Sequence, residues 1–406
     1  MLLYHMFLAQ GGYMHFRRFE KVIPSWEQKL AERYPTVALF IPAHNEGVVI
    51  EKTLKAMVRL KYPKDKLQIV LICDNCSDNT KEIGDRYAEQ FPFVKVLETE
   101  GKYKGRGKST ALNYALMHTD SELIAVYDAD NTPERYAVHY LAMGLVNDEK
   151  AGAMVGKFRV INAKQTWLTH FINIETICFQ WMAQAGRWFW FGVATIPGTN
   201  FAIRRTIIQS LGGWDESAMA EDTELSVRVY DLGYHIRFFP AAITWEQEPE
   251  TLSVWWKQRT RWARGNQYVV LKFLRHIFEL KQKRIVFDIF YFFFTYFLFF
   301  FGVITSNIIF ILNFFFDFHL TIGNIAIILW VLAFLLFMTE VMITLSIEKD
   351  QLTLKNIAYV FLMYFTYSQM WIVLVVYSLF LEIKRVVRKE EHTWYKTERF
   401  PTERGK

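Results

Sequence analysis

Residues 123–130 read Leu-Ile-Ala-Val-Tyr-Asp-Ala-Asp, a short apolar run that ends in two aspartates one residue apart. A run of this length followed by polar residues predicts a buried β-strand. Similar runs alternate with helix-like stretches in the surrounding sequence. The predicted strands are Thr36–Ile41, Leu67–Cys73, Phe93–Leu97 and Leu123–Tyr127, and the predicted helices are Glu46–Leu60, Thr80–Gln90, Lys108–His118 and Pro133–Asn147. This alternation predicts an α/β domain over residues 34–250, with a mostly parallel sheet and helices on both faces.

Carboxylates follow the first two predicted strands. Glu46 comes after the first strand, and Asp74 comes directly after the second. Ligands of such sheets bind beyond the carboxyl ends of the strands, where carboxylates can accept hydrogen bonds from the ribose hydroxyls or the base of a nucleoside. Asn and Asp beside a helix start also commonly cap that helix. Nucleoside binding and helix capping are both open interpretations of these residues taken alone.

The fourth strand ends in an Asp-x-Asp pattern formed by Asp128 and Asp130. Mg²⁺ and Mn²⁺ prefer oxygen ligands, and Mg²⁺ is usually held by one or two carboxylates together with phosphates. The pair is therefore a candidate metal site that would bridge to the diphosphate of a nucleotide sugar. Aspartates that only form a turn are the alternative, because the pattern is short.

Residues 107–110, Gly-Lys-Ser-Thr, look like the second half of a phosphate-binding P-loop. That motif requires a glycine five residues before Gly107, and the sequence has Lys102 there. A P-loop ATPase is therefore excluded. Arg106 and Lys108 remain candidates for contact with a diphosphate.

A further acidic motif, Ala220-Glu221-Asp222, opens a predicted helix. A carboxylate at a helix start has a fixed orientation, and one aimed at the pocket can take the proton of an acceptor hydroxyl that attacks C1 of a sugar. Such a base contributes about 10²–10⁴ in rate. An acidic pair that only complements the helix dipole is the alternative.

The segment 258–262 combines an amide, two guanidiniums and an indole. On a helix, Gln258, Arg261 and Trp262 share one face, and Arg259 lies to its side. These groups suit a diphosphate and a sugar ring. An amphipathic helix at a membrane interface, without a chemical role, is the alternative.

The 406-residue chain is 52% hydrophobic and 17% aromatic, and the apolar excess is concentrated near its end. About 20 apolar residues suffice to cross a bilayer. Three runs of this kind predict transmembrane helices over residues 285–383, namely Ile285–Phe316, Ile322–Leu345 and Ile357–Leu381. The charges inside them, Asp288 and Glu340, either line an export path or pair within the helix bundle. A basic tail, residues 384–406, follows.

Two other segments are expected to contact the membrane. Residues 1–33 predict a short membrane anchor or an interfacial helix, and the basic residues after its apolar run keep the next domain in the cytoplasm. Trp255 and Trp256 indicate interfacial helices over residues 251–284. The sequence therefore predicts a multi-pass protein of the cell membrane with a cytoplasmic α/β domain.

The formal net charge of +6 does not indicate nucleic-acid binding, because no polar segment interleaves basic and stacking aromatic residues. An anionic membrane surface explains the charge better. Three cysteines, two of them Cys73 and Cys76, are too few for a disulfide scaffold or a four-cysteine zinc site. We expect them to be reduced.

In this order, the motifs resemble the family 2 glycosyltransferases of GT-A fold. The similarity is to the membrane-integrated, processive branch, which includes synthases of cellulose, hyaluronan and bacterial poly-N-acetylglucosamine. It covers residues 34–267 and continues into the apolar runs. The resemblance implies a GT-A nucleotide-sugar-binding domain followed by an all-α transmembrane region.

The resemblance also implies roles for the motifs. Two sites, Glu46 and Asp74, would hold the nucleoside, although Cys73 stands where relatives often have an aspartate. The Asp-x-Asp pair would hold Mg²⁺ or Mn²⁺, with Asp130 the stronger ligand and Asp128 beside it. The loop 197–200 would lie near the acceptor.

The later motifs receive roles in the same way. Asp222 would be the base, with Glu221 contacting substrate. Residues 258, 261 and 262 match the Gln-x-x-Arg-Trp signature of processive members, and Arg259 and Arg261 would neutralise the leaving UDP.

The implied reaction is an inverting, metal-dependent transfer from a UDP-sugar to a growing polysaccharide at the membrane. Membrane lipids and accessory membrane proteins of a polysaccharide system are the further partners expected. A glycolipid synthase that adds one or a few sugars to a lipid is the first alternative. A non-catalytic nucleotide-binding membrane protein is the second, and Asp222 argues against it because a binder has no use for a base.

Overall fold

The computed structural model describes residues 2–19, 21–281 and 323–388, together with single positions between the last two ranges. Those positions are Lys283, Val286, Ile289, Phe290, Phe293, Leu312 and Phe315. The predicted span Ile285–Phe316, with Asp288, lies otherwise outside the described residues, as does the tail from residue 389 onward.

One sheet of eight strands forms the centre of the described domain, in the order β3-β2-β1-β4-β7-β6-β8-β5. The strands are β1 (Val37–Ala43), β2 (Leu67–Cys73), β3 (Val94–Glu98), β4 (Leu123–Val126), β5 (Thr132–Pro133), β6 (Ala151–Val160), β7 (Phe201–Arg204) and β8 (His235–Glu246). The first four in the order are mutually parallel. In the other half β7 is antiparallel to both its neighbours, and β6 pairs with β8 in parallel.

Helices cover both faces of this sheet and continue beyond it. Within the described residues they are α1 (Leu2–Phe19), α2 (Ile23–Glu32), α3 (Ile50–Met57), α4 (Thr80–Gln90), α5 (Lys108–Met117), α6 (Ala137–Asn147), α7 (Trp167–Cys178), α8 (Arg187–Phe191), α9 (Arg205–Ser210), α10 (Glu221–Asp231), α11 (Leu252–Arg275), α12 (Gly323–Ile347), α13 (Leu354–Phe365) and α14 (Tyr367–Arg388). A π-helical segment, Phe179–Gly186, joins α7 to α8.

Strand β1 shows why the sheet is buried on both faces. Successive side chains of a strand point to opposite sides. Ala38 and Phe40 belong to one hydrophobic cluster, and Leu39 and Ile41 to the other. The continuous apolar run that predicted a central parallel strand therefore fills two cores at once.

The predicted α/β architecture is confirmed, and the boundaries differ by more than two residues at two helices. The helix predicted from Glu46 begins at Ile50, because residues 46–49 form a turn closed by the Ile50 amide donating to the Glu46 carbonyl. The helix predicted from Pro133 begins at Ala137, because Thr132 and Pro133 pair with β8 instead.

The N-terminal helix α1 packs against the protein rather than standing alone. Gly12 lets it approach the π-helical segment, since a Cβ there would collide with the Trp181 carbonyl. His5 Nδ1 lies 3.7 Å from Glu340 Oε1 of α12. This contact agrees with the pairing interpretation of Glu340, and Glu340 is not among the residues that line the large cavity described below.

Two helical stretches of the described residues are long and apolar enough to cross a membrane, Trp330–Ile347 and Leu354–Arg385. The second is broken: α13 ends at Phe365 and α14 begins at Tyr367. The Thr366 hydroxyl donates to the Leu362 carbonyl at 2.6 Å, and such bonding often bends a helix. The predicted third run is therefore two helices joined at Thr366.

The expectation that Trp255 meets a membrane interface is wrong for that side chain. Trp255 is completely buried. Its indole Nε1 donates to the Tyr367 hydroxyl at 2.9 Å, and its ring meets Trp371 edge to face. The side chain joins α11 to α14 inside the protein because its polar N–H finds a partner there.

Candidate active site

A cavity of about 860 Å³ lies at the carboxyl ends of β1, β2 and β4. The structure brings together there every candidate site residue of the sequence analysis, although they are spread from position 46 to position 262 of the chain. They are Glu46, Asp74, Arg106, Lys108, Asp128, Asp130, Glu221, Asp222, Gln258, Arg259, Arg261 and Trp262. The acceptor loop 197–200 contributes Pro197, Gly198 and Thr199 to the same wall.

Asp74 organises the loop that leads to α5. Its Oδ1 accepts hydrogen bonds from Thr99 Oγ1 at 2.7 Å and from the Gly105 amide at 2.6 Å, and its Oδ2 accepts from the Gly107 amide at 3.1 Å. The carboxylate is buried. It therefore anchors the loop that carries Arg106 and Lys108 as well as lining the cavity.

Helix α4 has no side-chain cap at its N-cap residue Asn79, and the nearby Asp78 instead forms a local turn and a bond between loops. Asp78 Oδ1 accepts from the Thr80 amide at 3.0 Å, at the start of α4, and its Oδ2 accepts from the Gly47 amide at 2.8 Å. The Glu46 amide donates to Thr80 Oγ1 at 2.7 Å. These bonds tie the two strand-end loops together, so the buried Glu46 is held at the cavity wall.

Lys108 lies at the first position of α5 and connects three parts of the site. Its Nζ is 2.7 Å from Asp128 Oδ1, 2.8 Å from the Gly198 carbonyl and 3.6 Å from Glu221 Oε1. Burial opposes its charge, but the carboxylates of Asp128 and Glu221 outweigh burial and raise the Lys108 pKa. The ammonium is therefore a permanent cation among carboxylates.

Asp222 lies in the first turn of α10. Its Oδ1 accepts from the Thr223 amide at 2.7 Å. The loop passes so close that a Cβ at Gly198, where φ is +84°, would be 2.8 Å from Asp222 Oδ2. Burial, with the adjacent Glu221 charge, raises the Asp222 pKa to about 7, against the opposing effect of Lys108. A carboxyl group with this pKa is matched to proton transfer near neutral pH.

The predicted metal ligands fit a hard divalent cation. Asp128 and Asp130 both face the cavity. In the part of the chain that the structure describes, no group of three or more His, Cys, Asp or Glu residues is arranged to hold a metal ion. Two carboxylates suit Mg²⁺ or Mn²⁺, which take further oxygen ligands from phosphates, and do not suit a structural zinc site.

Helix α11 carries the signature residues 258–262. Gln258 and Arg259 are buried, whereas Trp262 is 40% exposed at the cavity wall. The Arg259 guanidinium is paired already: its Nη2 lies 3.0 Å from Glu175 Oε2 and 3.6 Å from Glu248 Oε2.

Sequence reasoning missed these two carboxylates. Glu248 follows the end of β8, and strand-end position is the signal that identified Glu46 and Asp74. Pro240 hid the strand, because proline inside a run argues against a central strand. The structure tolerates Pro240 because the pairing of β8 with β6 is irregular between Phe238 and Ile243. Glu175 lies within α7 and carries no signal of this kind.

The comparisons with known proteins agree with this geometry. The family model described as "Glycosyltransferase like family 2" matches residues 35–265. The chain therefore belongs to the family 2 glycosyltransferases and is a glycosyltransferase enzyme.

Two bacterial relatives show the similarity in sequence. The chain is 67% identical over 400 residues to the probable glycosyltransferase YdaM of Bacillus subtilis strain 168, over 98% of this chain and 95% of that protein. It is 31% identical over 236 residues to the poly-beta-1,6-N-acetyl-D-glucosamine synthase of Staphylococcus aureus strain COL. That match covers 58% of this chain and 56% of the synthase, so the relationship to a polysaccharide synthase is distant.

A solved structure matches the fold over most of the chain. It is a mannosyltransferase from Pyrobaculum calidifontis in complex with GDP-Man and Mn²⁺, with a TM-score of 0.58 at 18% identity, over 95% of this chain and 100% of that one. The predicted fold, a GT-A domain followed by a helical region, is confirmed.

Proposed function

We propose that the protein transfers a sugar from a UDP-sugar to a growing polysaccharide at the cytoplasmic side of the cell membrane, with inversion at C1 and with Mg²⁺ or Mn²⁺. One observation carries the proposal. The carboxyl group of Asp222, whose pKa is raised to about 7 by burial and by Glu221 and which we assign as the base, shares a cavity with an Asp-x-Asp pair and the signature residues 258, 261 and 262. A protein that only bound nucleotide would not need this base.

The proton and bond changes follow from the site. Asp222 accepts the proton of the acceptor hydroxyl while that oxygen forms a bond to C1 of the donor sugar. The bond between C1 and the diphosphate oxygen breaks, and UDP leaves with the electron pair. Attack opposite to the leaving group inverts C1, so a covalent sugar–enzyme intermediate is not required.

The leaving diphosphate develops charge, and its stabilisation should be the largest contribution to catalysis. Lys108 and Arg261 are the cations of the cavity that we assign to it. Asp130 and Asp128 are the residues that would hold a divalent ion, and such an ion would supply Lewis-acid stabilisation of the same charge. The mannosyltransferase named above was solved with Mn²⁺, which supports this assignment.

The acceptor is proposed to be a membrane-associated polymer. Trp371 of the apolar helix α14 lines the cavity together with Phe158 and Phe179. Aromatic rings stack on sugar rings, and α14 belongs to one of the two stretches long enough to cross a membrane. The distant relationship to a poly-N-acetylglucosamine synthase favours a polymer over a glycolipid.

A nucleotide-release assay on the full-length chain tests the proposal. UDP-glucose, UDP-N-acetylglucosamine, UDP-galactose and GDP-mannose are supplied separately with Mn²⁺ and membrane extract, and released nucleotide and product size are measured. We expect release of UDP from one UDP-sugar and products of many sugars, with Asp222→Asn as the inactive control. Release of GDP alone would contradict the UDP assignment, and products of one to three sugars on lipid would identify a glycolipid synthase.

A further inference from the structure

The side chain of Arg259 is enclosed by protein groups. Only 1% of the residue is exposed, and Glu175 and Glu248 pair with its guanidinium. Two carboxylates already compensate one buried positive charge. A diphosphate arriving at this arginine would have to displace them into a buried setting, which is costly for ionised groups.

The same guanidinium holds two signature residues in place. Its Nη1 donates to Gln258 Oε1 at 3.0 Å. Its central carbon lies 3.9 Å from the centre of the Trp262 ring, a distance suited to a cation–π contact. Because Trp262 is 40% exposed and lines the cavity, one side of the indole rests on Arg259 and the rest remains available to a sugar.

Glu175, which pairs with Arg259, also contacts the apolar helices. Glu175 Oε2 accepts a hydrogen bond from the Tyr367 hydroxyl at 2.8 Å. That hydroxyl in turn accepts from Trp255 Nε1 at 2.9 Å. Tyr367 is buried and is the first residue of α14, directly after the break at Thr366. A chain of contacts therefore runs from α14 through Glu175 and Arg259 to the cavity.

We propose that Arg259 is a positioning residue for the acceptor. Tyr367 and Glu175 hold its guanidinium against the Trp262 ring, so the position of α14 determines where the acceptor sugar binds. The inference rests on the proposed function. It separates the two arginines of the signature: Arg261 acts on the donor diphosphate, and Arg259 orients Gln258 and Trp262.

The test measures the KM for the acceptor and the KM for the donor separately in purified variants of the full chain. Tyr367→Phe removes the hydroxyl and keeps the ring. The acceptor probe is an N-acetylglucosamine tetrasaccharide with UDP-N-acetylglucosamine, or cellotetraose with UDP-glucose, according to the donor found above. We expect the acceptor KM to rise about five- to tenfold, the size of the effect of one ordinary intramolecular hydrogen bond. We expect the donor KM to change less than twofold and the products to become shorter.

Tyr364→Phe is the matched control. Tyr364 lies on α13, two residues before the break, and its hydroxyl makes no hydrogen bond to the described residues. It should leave both KM values unchanged. Arg259→Lys keeps the charge but loses the planar fork, so it should reproduce the acceptor effect, and Tyr367→Phe should add less than twofold in that background.

The outcomes distinguish the inference from the proposed function. Wild-type protein that releases UDP from no nucleotide sugar would contradict the function. Calorimetric titration with the tetrasaccharide needs no turnover and still compares wild type with Tyr367→Phe. Equal acceptor affinity in both, or a donor KM raised tenfold in Arg259→Lys with the acceptor KM unchanged, would overturn the positioning role.

Discussion

Lys108 and Arg259 are two cations of one cavity, and they differ in how they are held. The Lys108 side chain is 18% exposed, and the Arg259 side chain is 2% exposed. Lys108 begins a helix at a loop that Asp74 shapes, and it lies beside Asp128 and Glu221. Arg259 lies within α11 between carboxylates from two other segments.

The difference between Lys108 and Arg259 shows that a positive charge at the cavity does not by itself define what a residue does there. The Lys108 side chain is more exposed than that of Arg259, so its ammonium can contact a phosphate that enters the cavity. A buried guanidinium that is paired with two carboxylates is better suited to fixing geometry, because moving its partners would leave buried charges unpaired. We therefore expect ligands to exchange on the donor side of the cavity, at Lys108. On the side at Arg259 we expect the geometry to stay fixed.

The largest effect is expected from the base between the two sides. Asp222→Asn should reduce transfer about 10²–10⁴-fold, because the acceptor proton loses its destination. UDP binding should remain within about twofold of wild type, since the diphosphate does not need the base. Near-normal transfer by this variant, measured by UDP release, would refute the assignment of Asp222.

Removal of the divalent ion should reduce transfer and UDP binding and leave acceptor binding unchanged. We expect EDTA to reduce transfer by roughly a hundredfold or more, and Mn²⁺ to restore it, because the ion stabilises charge on the leaving diphosphate. Asp130→Asn should weaken UDP binding in Mn²⁺ without affecting tetrasaccharide binding. Full activity in EDTA would contradict metal dependence.

Substitution of the two cations tests the comparison directly. Lys108→Met should raise the Kd for UDP about 10- to 100-fold, because a charged hydrogen-bond donor is lost and Asp128 and Glu221 then repel the diphosphate. Lys108→Arg is the control that keeps the charge. Arg259→Lys should change the UDP Kd less than twofold. An equal rise of the UDP Kd in Lys108→Met and Arg259→Lys would contradict the proposed difference between the two cations.

The pH dependence should follow Asp222. Its pKa is raised to about 7 by burial and by Glu221, with Lys108 opposing. The group must be ionised to accept a proton, so kcat/KM should fall about tenfold per pH unit below about pH 7 and level off above it. A flat profile between pH 5.5 and pH 8, with UDP binding constant over that range, would contradict the assignment.

The smallest effect is on stability. The folded-state pKa of about 7 lies above the ordinary 3.8, so folding favours the protonated carboxyl. Ionisation of Asp222 therefore costs stability as pH rises from about 4 to 7, and the full cost is present above 7. Asp222→Asn should raise Tm more at pH 8 than at pH 5. An equal shift at both values would argue against the raised pKa.

Much of the donor side could be predicted from local sequence. Four apolar runs indicated β1 to β4, and parallel strands bring their carboxyl ends to one edge. Glu46, Asp74 and Asp128 follow those ends, so their convergence in one cavity needed no tertiary information. The strands β5 to β8 were not predicted: Pro240 interrupts the run of β8, and the pairing of β6 with β8 joins distant segments.

The sequence by itself determined the family, the parallel half of the sheet and the motif residues that line the cavity, because strand periodicity and strand-end motifs are local properties of the chain. Only the tertiary structure decided which of the two cations, Lys108 or Arg259, is the more exposed. Glu175 is 84 residues from Arg259, and Tyr367 is 192 residues from Glu175. Burial and pairing between such distant positions depend on how the helices pack, and no local sequence pattern predicts that packing.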